Sequence, residues 1–251
     1  MDRDRFASSA HELGLTLSAE QLAAFEAFEE ALYAANSTRN LTRVPREDCW
    51  RRHFLDSLLI HDLIPTGDSV LDVGTGPGFP AWPLACSRPD LHVTGLDSNG
   101  KMIGFLREHL LFNLEAVQAR AEGWEVAARF RFITGRAVAP LPIQLEISAP
   151  LAAVGGLVVP MRTGSDHDLA PESLGALGLR LERVEHRNLP AILNHHNIYV
   201  YRDDREDAPS SRVFPVYRKF RESKPQYPRS WAEIRKKPLP SSPSLLSDSS
   251  G

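Results

Sequence analysis

The sequence predicts an α/β protein whose strands form a doubly wound, mostly parallel sheet. Three observations predict this class. The apolar run 69–73 reads as a buried strand, and it leads into a loop with glycine at every second position over 74–78. A second apolar run, 91–96, follows roughly twenty residues later and ends in Asp97. Short apolar segments then alternate with helical patterns, as a parallel sheet with crossover helices requires.

The glycine-rich loop is the most informative motif. Glycine lets the backbone turn sharply and approach a ligand, because no Cβ intervenes. A dinucleotide site uses Gly-x-Gly-x-x-Gly, whereas the glycines here are Gly74, Gly76 and Gly78. Phe79 stands where the third dinucleotide glycine would be. With Asp97 available for two ribose hydroxyls, the pattern favours S-adenosylmethionine. A tight turn without a ligand is the alternative, and it leaves Asp97 unexplained.

The order of elements supports the same interpretation. Strands are predicted at 69–73, 91–96, 116–118, 129–134, 156–161, 179–186 and 197–202. Helices are predicted near 80–87, 99–112, 121–127, 140–151 and 169–177. Seven strands that end in a hairpin are typical of the Rossmann-like sheet of methyltransferases.

Three regions are expected along the chain. Residues 1–64 form an N-terminal helical extension, and residues 65–205 form the methyltransferase domain. Residues 206–251 are expected to be a basic, Pro- and Ser-rich tail that is partly disordered.

The N-terminal extension is predicted to contain two helices. The first covers 18–35, has an apolar face and begins with a Ser18–Gln21 capping box. Pro45 is expected to open the second. His53 and Asp56 lie three residues apart on that second helix and therefore share a face. For His53, a packed and hydrogen-bonded histidine is favoured over an RNA contact.

Composition excludes several classes of protein. The chain has 251 residues, a net charge of −3, and ordinary apolar (42%) and charged (24%) fractions. No apolar run approaches the ~20 residues of a membrane span. Cys49 and Cys86 have neither metal-ligand nor disulfide spacing. We therefore expect a cytoplasmic protein without a metal and without a membrane partner.

Charge is unevenly distributed, because the segment 212–237 holds nine basic and two acidic residues among five aromatic ones. Such a segment can neutralise phosphates and stack on bases. A solvated tail is an equal alternative. The RNA-binding candidates in this segment are Arg218, Lys219, Lys224 and Arg229.

Several short blocks together resemble one family. They lie at 40–42, 53–58, 72–80, 96–101 with 105–106, 118–122 and 136–139. In this order and spacing they are similar to the glucose-inhibited division protein B family, whose members are bacterial methyltransferases acting on guanine N7 of small-subunit ribosomal RNA. The resemblance covers residues 10 to 205.

The resemblance implies S-adenosylmethionine as cofactor and 16S ribosomal RNA or the 30S subunit as substrate, with guanine 527 as the target. Gly74 and Phe79 would line the cofactor pocket, and Ala121 and Glu122 would flank the adenine. Arg136 would lie between cofactor and RNA, with a salt bridge to a carboxylate such as Asp97 or Glu122 as the alternative. The cofactor-binding candidates are therefore Gly74, Gly76, Gly78, Phe79, Asp97, Ala121, Glu122 and Arg136.

The chemistry expected of this family needs few catalytic groups. Guanine N7 carries an in-plane lone pair and no proton, so neither a general base nor a metal is required, and positioning dominates. Three departures from the family's usual sequence bear on fine geometry. Trp82 is expected to alter the pocket entrance, Arg131 replaces an acid, and Arg162 replaces a lysine.

Other functions remain open at this point. One is a cofactor-binding module in ribosome assembly without turnover. Another is a small-molecule methyltransferase, which the basic segment and Arg136 disfavour. A dehydrogenase is the least favoured of these alternatives. The adjacent pair His195 and His196 is not expected to bind a metal, because neighbouring side chains on a strand point to opposite faces.

Overall fold

The computed structural model describes residues 1–125, 129–163, 169–190 and 211–241. These residues form a seven-stranded sheet with the order β3-β2-β1-β4-β5-β7-β6. The strands are β1 (Ser69–Val73), β2 (His92–Asp97), β3 (Leu114–Gln118), β4 (Phe130–Arg136), β5 (Ala152–Met161), β6 (Leu179–Asn188) and β7 (Ser211–Lys219). Strands β1 to β5 pair in parallel, and β7 is antiparallel to both of its neighbours. The predicted fold class is confirmed.

Helices cover both faces of the sheet. They are α1 (Arg3–Glu12), α2 (Ala19–Arg39), α3 (Asp56–Leu58), α4 (Ala81–Ser87), α5 (Gly100–Arg107), α6 (Leu141–Ser148), α7 (Pro171–Leu177) and α8 (Trp231–Lys236). Consecutive β1 residues, Val70 and Leu71, are both fully buried but belong to opposite core clusters. Burial on both faces explains why the strands are continuously apolar instead of alternating.

The N-terminal extension packs its helices onto one face of the sheet through aromatic side chains. Phe6, Phe25 and Phe54 meet with ring centroids 4.8 to 5.8 Å apart. The capping box at the start of α2 is confirmed, since Ser18 N donates to Gln21 Oε1 at 2.8 Å and Gln21 N donates to Ser18 Oγ at 3.2 Å. Helix α1 was not predicted from the sequence.

The helix expected after Pro45 is not a regular α-helix. A short 3₁₀ turn, Arg46–Asp48, is followed by a π-helical turn, Trp50–Leu55, and then by α3. π-helical turns are rare and occur often at functional sites. This one carries His53 and leads directly into Asp56.

The expectation of a basic tail from residue 206 is wrong for residues 211–219, which form β7 inside the sheet. Val158 of β5 pairs with Tyr217, and Glu185 of β6 pairs with Phe214. This strand was not predicted because Pro215 and several basic residues interrupt its apolar pattern. The seventh strand predicted at 197–202 lies outside the described residues, and so do His195 and His196.

The helix predicted at 121–127 is a 3₁₀ turn, Ala121–Gly123, in its described part. Across the four described ranges, no helix combines the length and apolar character that a membrane span needs.

Candidate functional site: two adjoining clefts

The loop after β1 is held in a tight turn by backbone contacts. Gly74 has φ of 71°, in the left-handed region, and its N–H donates to the Leu96 carbonyl at 2.7 Å. A Cβ at this position would lie 2.9 Å from Val138 Cγ2. Glycine is therefore required here both for conformation and for close packing against the segment after β4.

Asp72 fixes the other end of the loop. Its Oδ2 accepts a hydrogen bond from the Ala81 N–H at 3.0 Å, at the start of α4. The side chain is fully buried, and burial raises the pKa of Asp72 to about 7. Asp72 thus links β1 to α4 beneath the loop.

Asp97 ends β2 beside the same loop. Its Oδ2 accepts from the Gly76 N–H at 2.9 Å, and its Oδ1 accepts from the Asn99 N–H at 2.8 Å. A carboxylate oxygen can accept two hydrogen bonds, so each oxygen retains capacity for another donor. A carboxylate held in this way suits two neighbouring hydroxyls, as in a ribose.

These elements enclose a cleft of about 350 Å³, which we call the glycine-loop cleft. Four predicted site residues line it: Gly74, Asp97, Ala121 and Glu122. The remaining lining comes from Val73, Leu96, Ser98, Ala119, Arg120, Ala137, Val138, Ile147 and Trp231. The lining holds two acidic side chains, Asp97 and Glu122, and one basic side chain, Arg120. Its net negative charge fits a cationic nucleoside such as S-adenosylmethionine better than a pyrophosphate compound.

Four residues predicted to bind the cofactor do not line the glycine-loop cleft: Gly76, Gly78, Phe79 and Arg136. Phe79 is 3% exposed, and its ring stacks on His53 with centroids 4.2 Å apart. Gly78 faces the core, since a Cβ there would lie 2.9 Å from Leu106 Cδ1. Arg136 lines the neighbouring cleft instead. Packing against the N-terminal extension takes Phe79 away from the cleft.

A second cleft, of about 520 Å³, adjoins the first at Ala137, which lines both. Ala137 has φ of 55°, a left-handed conformation that costs a residue with a Cβ roughly 1–2 kcal/mol. We call this second space the arginine cleft, because its lining includes four arginines and one carboxylate: Arg52, Arg136, Arg162, Arg212 and Asp56. His53, Val44, Ala139, Met161 and Thr163 complete it.

Arg136 is fixed by three acceptors. It donates to Asp56 Oδ2 at 2.8 Å, to the Arg52 carbonyl at 3.0 Å and to His53 Nδ1 at 3.1 Å. Neither Asp97 nor Glu122 is its salt-bridge partner. The shared face of His53 and Asp56 is confirmed, because both side chains meet the same guanidinium.

The contact with Arg136 fixes the tautomer of His53. Arginine has donors only, so Nδ1 must accept and Nε2 carries the proton, which it donates to Thr42 Oγ1 at 2.7 Å. Burial, reinforced by Arg136 and Arg52, lowers the pKa of His53 to about 2. The imidazole is therefore neutral at physiological pH.

Asp56 joins two arginines across the arginine cleft. Its Oδ1 accepts from Arg212 Nε at 2.6 Å, while its Oδ2 accepts from Arg136. Arg212 comes from β7 and Arg52 from the π-helical turn, and sequence reasoning missed both as site residues. The position of Arg52 directly before His53 could have marked it as a site residue.

The predicted RNA-binding residues of β7 lie far from this cleft. β7 runs antiparallel to β5, so Arg212 lies at the cleft end, whereas Arg218 donates to the Gly155 carbonyl at the opposite end. Arg218 also pairs with Glu182 at 3.0 Å. Lys219 is 1% exposed and donates to the Leu177 carbonyl, and burial lowers the pKa of its ammonium group to about 8. Lys219 as an RNA-binding residue is a wrong prediction.

The other two candidates differ from each other. Lys224 is exposed. Arg229 pairs with Glu146, a fully buried carboxylate on α6, and so anchors the segment before α8.

Two of the three departures from the family's usual sequence have structural roles. Trp82 is buried, stacks on Phe28 with centroids 4.1 Å apart and donates to the His109 carbonyl, so it belongs to the core and not to the entrance. Arg131 pairs with Asp68. The third, Arg162, lines the arginine cleft and donates to the Ala139 carbonyl at 2.7 Å. Among the residues that the structure describes, no group of three or more His, Cys, Asp or Glu side chains could hold a metal.

Comparison with known proteins agrees with this geometry. Residues 21–193 match the family model GidB, described as rRNA small subunit methyltransferase G. The Ribosomal RNA small subunit methyltransferase G of Lachnoclostridium phytofermentans is 33% identical over 95% of this chain and 98% of its own. The protein of the same name from Caldanaerobacter subterraneus subsp. tengcongensis is 34% identical over 92% of this chain and 95% of its own.

Solved structures show the same fold. A chain of the complex between the Haloferax volcanii Trm112 methyltransferase activator and a methyltransferase matches with a TM-score of 0.53 and 16% identity, over 76% of this chain and 97% of that chain. The extent of the sequence match, together with the glycine-loop and arginine clefts, leads to one conclusion. The chain belongs to the GidB family, the S-adenosylmethionine-dependent methyltransferases of small-subunit ribosomal RNA.

Proposed function

We propose that the protein transfers the methyl group of S-adenosylmethionine to N7 of a guanine in 16S ribosomal RNA, with guanine 527 as the target that the family resemblance implies. The observation that carries the proposal is the junction of the two clefts at Ala137. One cleft suits a nucleoside with a ribose, and the other suits a polyanion. A base that enters from the arginine cleft would meet the cofactor at this junction. We assign the reaction to the cytoplasm, where bacterial ribosomes assemble.

Asp97 would hold the ribose, and the backbone of Ala121 and Glu122 would flank the adenine. Gly74 would allow close approach, and the Gly76 N–H would keep Asp97 oriented. When bound, the cofactor supplies a methyl carbon that is electrophilic because it is attached to a sulfonium. The protein contributes orientation and exclusion of water, since guanine N7 already presents a lone pair.

The arginine cleft would position the RNA. A guanidinium can hold a phosphate or donate to guanine O6, but a bond to N7 itself would block methyl transfer. Arg136 is therefore assigned to a phosphate or to the O6 edge. His53, neutral and hydrogen-bonded on both nitrogens, orients Arg136 and accepts no proton from the substrate.

The direct test uses purified protein, S-adenosylmethionine labelled in its methyl group, and either 30S subunits or protein-free 16S ribosomal RNA. We expect label in 7-methylguanine after nuclease digestion and chromatography. Tight cofactor binding without transfer to either substrate would favour the assembly module without turnover. Label in a different nucleoside would refute the N7 assignment.

Arg136→Lys tests the role of the arginine cleft. Lysine carries one ammonium group and cannot reach Asp56, His53 and the Arg52 carbonyl together, so we expect kcat/KM for RNA to fall at least about tenfold. The Kd for S-adenosylhomocysteine should stay within about twofold, because Arg136 does not line the glycine-loop cleft. Arg131→Lys, on the same strand and 58% exposed, is the control. An equal loss in both variants would refute the assignment.

A further inference from the structure

We propose that Trp231 forms a wall of the glycine-loop cleft against the adenosine part of S-adenosylmethionine and so sets cofactor affinity. The residue is the first of α8, in a segment that the sequence assigned to a tail. Its half-buried indole lines the cleft together with Asp97, Ala121 and Glu122. The sequence analysis counted it only among the five aromatic residues of the basic segment 212–237 and not as a cofactor-binding residue.

The sheet order places Trp231 at the adenosine end. β3 is the edge strand beside β2, which ends in Asp97, and residues 120–122 follow β3. These residues therefore lie beyond Asp97, on the side away from the loop after β1. The Arg120 guanidinium carbon lies 4.8 Å from the centre of the Trp231 ring, and Arg120 also pairs with Glu122. A base attached to a ribose on Asp97 would extend toward this wall.

The indole is held in position before any ligand arrives. Two residues upstream, Arg229 pairs with the fully buried Glu146, and the Arg229 N–H donates to the same carboxylate at 3.2 Å. Ser230 caps α8, and Ile234 on the same helix is fully buried. A side chain fixed in this way loses little conformational entropy on binding, so its contact contributes efficiently to affinity.

Calorimetric titration with S-adenosylhomocysteine tests the proposal without RNA, so its outcome is independent of the guanine assignment. Trp231→Ala should weaken binding roughly tenfold, which is typical for loss of one aromatic contact. Trp231→Phe should recover binding to within about threefold of the parent protein. Trp124→Phe is the matched control, because Trp124 is a tryptophan outside the glycine-loop cleft.

Two further readouts separate a cofactor contact from a structural role. Saturation with S-adenosylhomocysteine should change the tryptophan emission of the parent protein and of the Trp124→Phe variant. The Trp231→Phe variant, which keeps Trp124, should show no such change. In turnover assays, Trp231→Ala should raise KM for S-adenosylmethionine and leave kcat within about twofold, since the indole lies away from the reacting atoms.

Binding by Trp231→Ala within twofold of the parent protein would overturn the proposal. If that variant fails to fold, an emission change of equal size in the parent and in Trp231→Phe would overturn it instead.

Discussion

Asp56 shows how a single buried carboxylate organises the arginine cleft. Only 5% of its side chain is exposed, and its two oxygens accept from two different arginines, Arg136 and Arg212. These arginines come from β4 and β7, which are separated by β5 in the sheet. The carboxylate therefore fixes the relative position of two positive charges that face the cleft.

Asp56→Asn keeps the size of the side chain and removes its charge. Breaking a buried pair leaves an uncompensated charge, so we expect a loss of about 3 kcal/mol in the free energy of unfolding. Asp62→Asn is the control, because Asp62 pairs with Arg187 and its side chain is 52% exposed. That pair should contribute less than about 1 kcal/mol. Urea denaturation at neutral pH measures both, and equal losses would contradict the bridging role.

His53 should make stability depend on pH. The folded state holds its imidazole neutral, with a pKa of about 2, whereas the unfolded chain has the ordinary value of about 6.5. Below pH 6.5 the unfolded state binds a proton that the folded state does not. The contribution of His53 is therefore complete above pH 6.5 and falls by about 1.4 kcal/mol per pH unit below it.

His53→Gln isolates this effect. We expect the stability difference between the parent and the variant to shrink by about 1.4 kcal/mol from pH 7.5 to pH 5.5, measured by urea denaturation. His92→Gln, at an exposed position on β2, serves as the control. A constant difference across this range would show that folding does not shift the pKa of His53.

At the scale of elements, the loop after β1 combines two constraints that substitution can separate. Gly74→Ala introduces left-handed strain and a contact 2.9 Å from Val138, whereas Gly14→Ala introduces the strain alone, since a Cβ at Gly14 meets no atom within 4 Å. We expect the free energy of unfolding to fall by about 1–2 kcal/mol in Gly14→Ala and by more in Gly74→Ala. Only Gly74→Ala should also weaken S-adenosylhomocysteine binding in calorimetry. Equal losses of unfolding free energy in the two variants would show that Val138 moves aside without cost.

The same elements show how far sequence reasoning reaches. β1, the glycine-rich loop and β2 can be predicted from neighbouring residues alone, because each strand is a short apolar run next to its own turn. The position of Asp97 at the end of β2 follows from them. Arg212 and Trp231 could not be found in this way, because their roles depend on contacts with Asp56 and Arg120, which are distant in sequence. The basic composition of 212–237 suggested a solvated or RNA-binding segment. In the structure, three of its arginines instead pair with carboxylates: Arg212 with Asp56, Arg218 with Glu182 and Arg229 with Glu146.

At the scale of the whole molecule, the C-terminal segment closes both the sheet and the clefts. β7 lies between β5 and β6, so it is the strand that joins β6 to the rest of the sheet. Its Phe214 and Val216 are fully buried in one core cluster, and its Tyr217 is fully buried in the other. The same segment brings Arg212 to one cleft and Trp231 to the other.

Truncation after residue 205, at the boundary that composition suggested, should therefore abolish cooperative folding. Without β7, β6 has no neighbour among the strands that the structure describes, and the apolar surface beneath both strands is exposed. The control is a chain that ends at residue 241. The chains 1–205 and 1–241 both lack residues 242–251, so they differ only over 206–241. Urea denaturation followed by circular dichroism should give one cooperative transition for 1–241 and none for 1–205. If 1–205 instead unfolds cooperatively and binds S-adenosylhomocysteine, β7 is dispensable, and the integration of this segment into sheet and cleft is refuted.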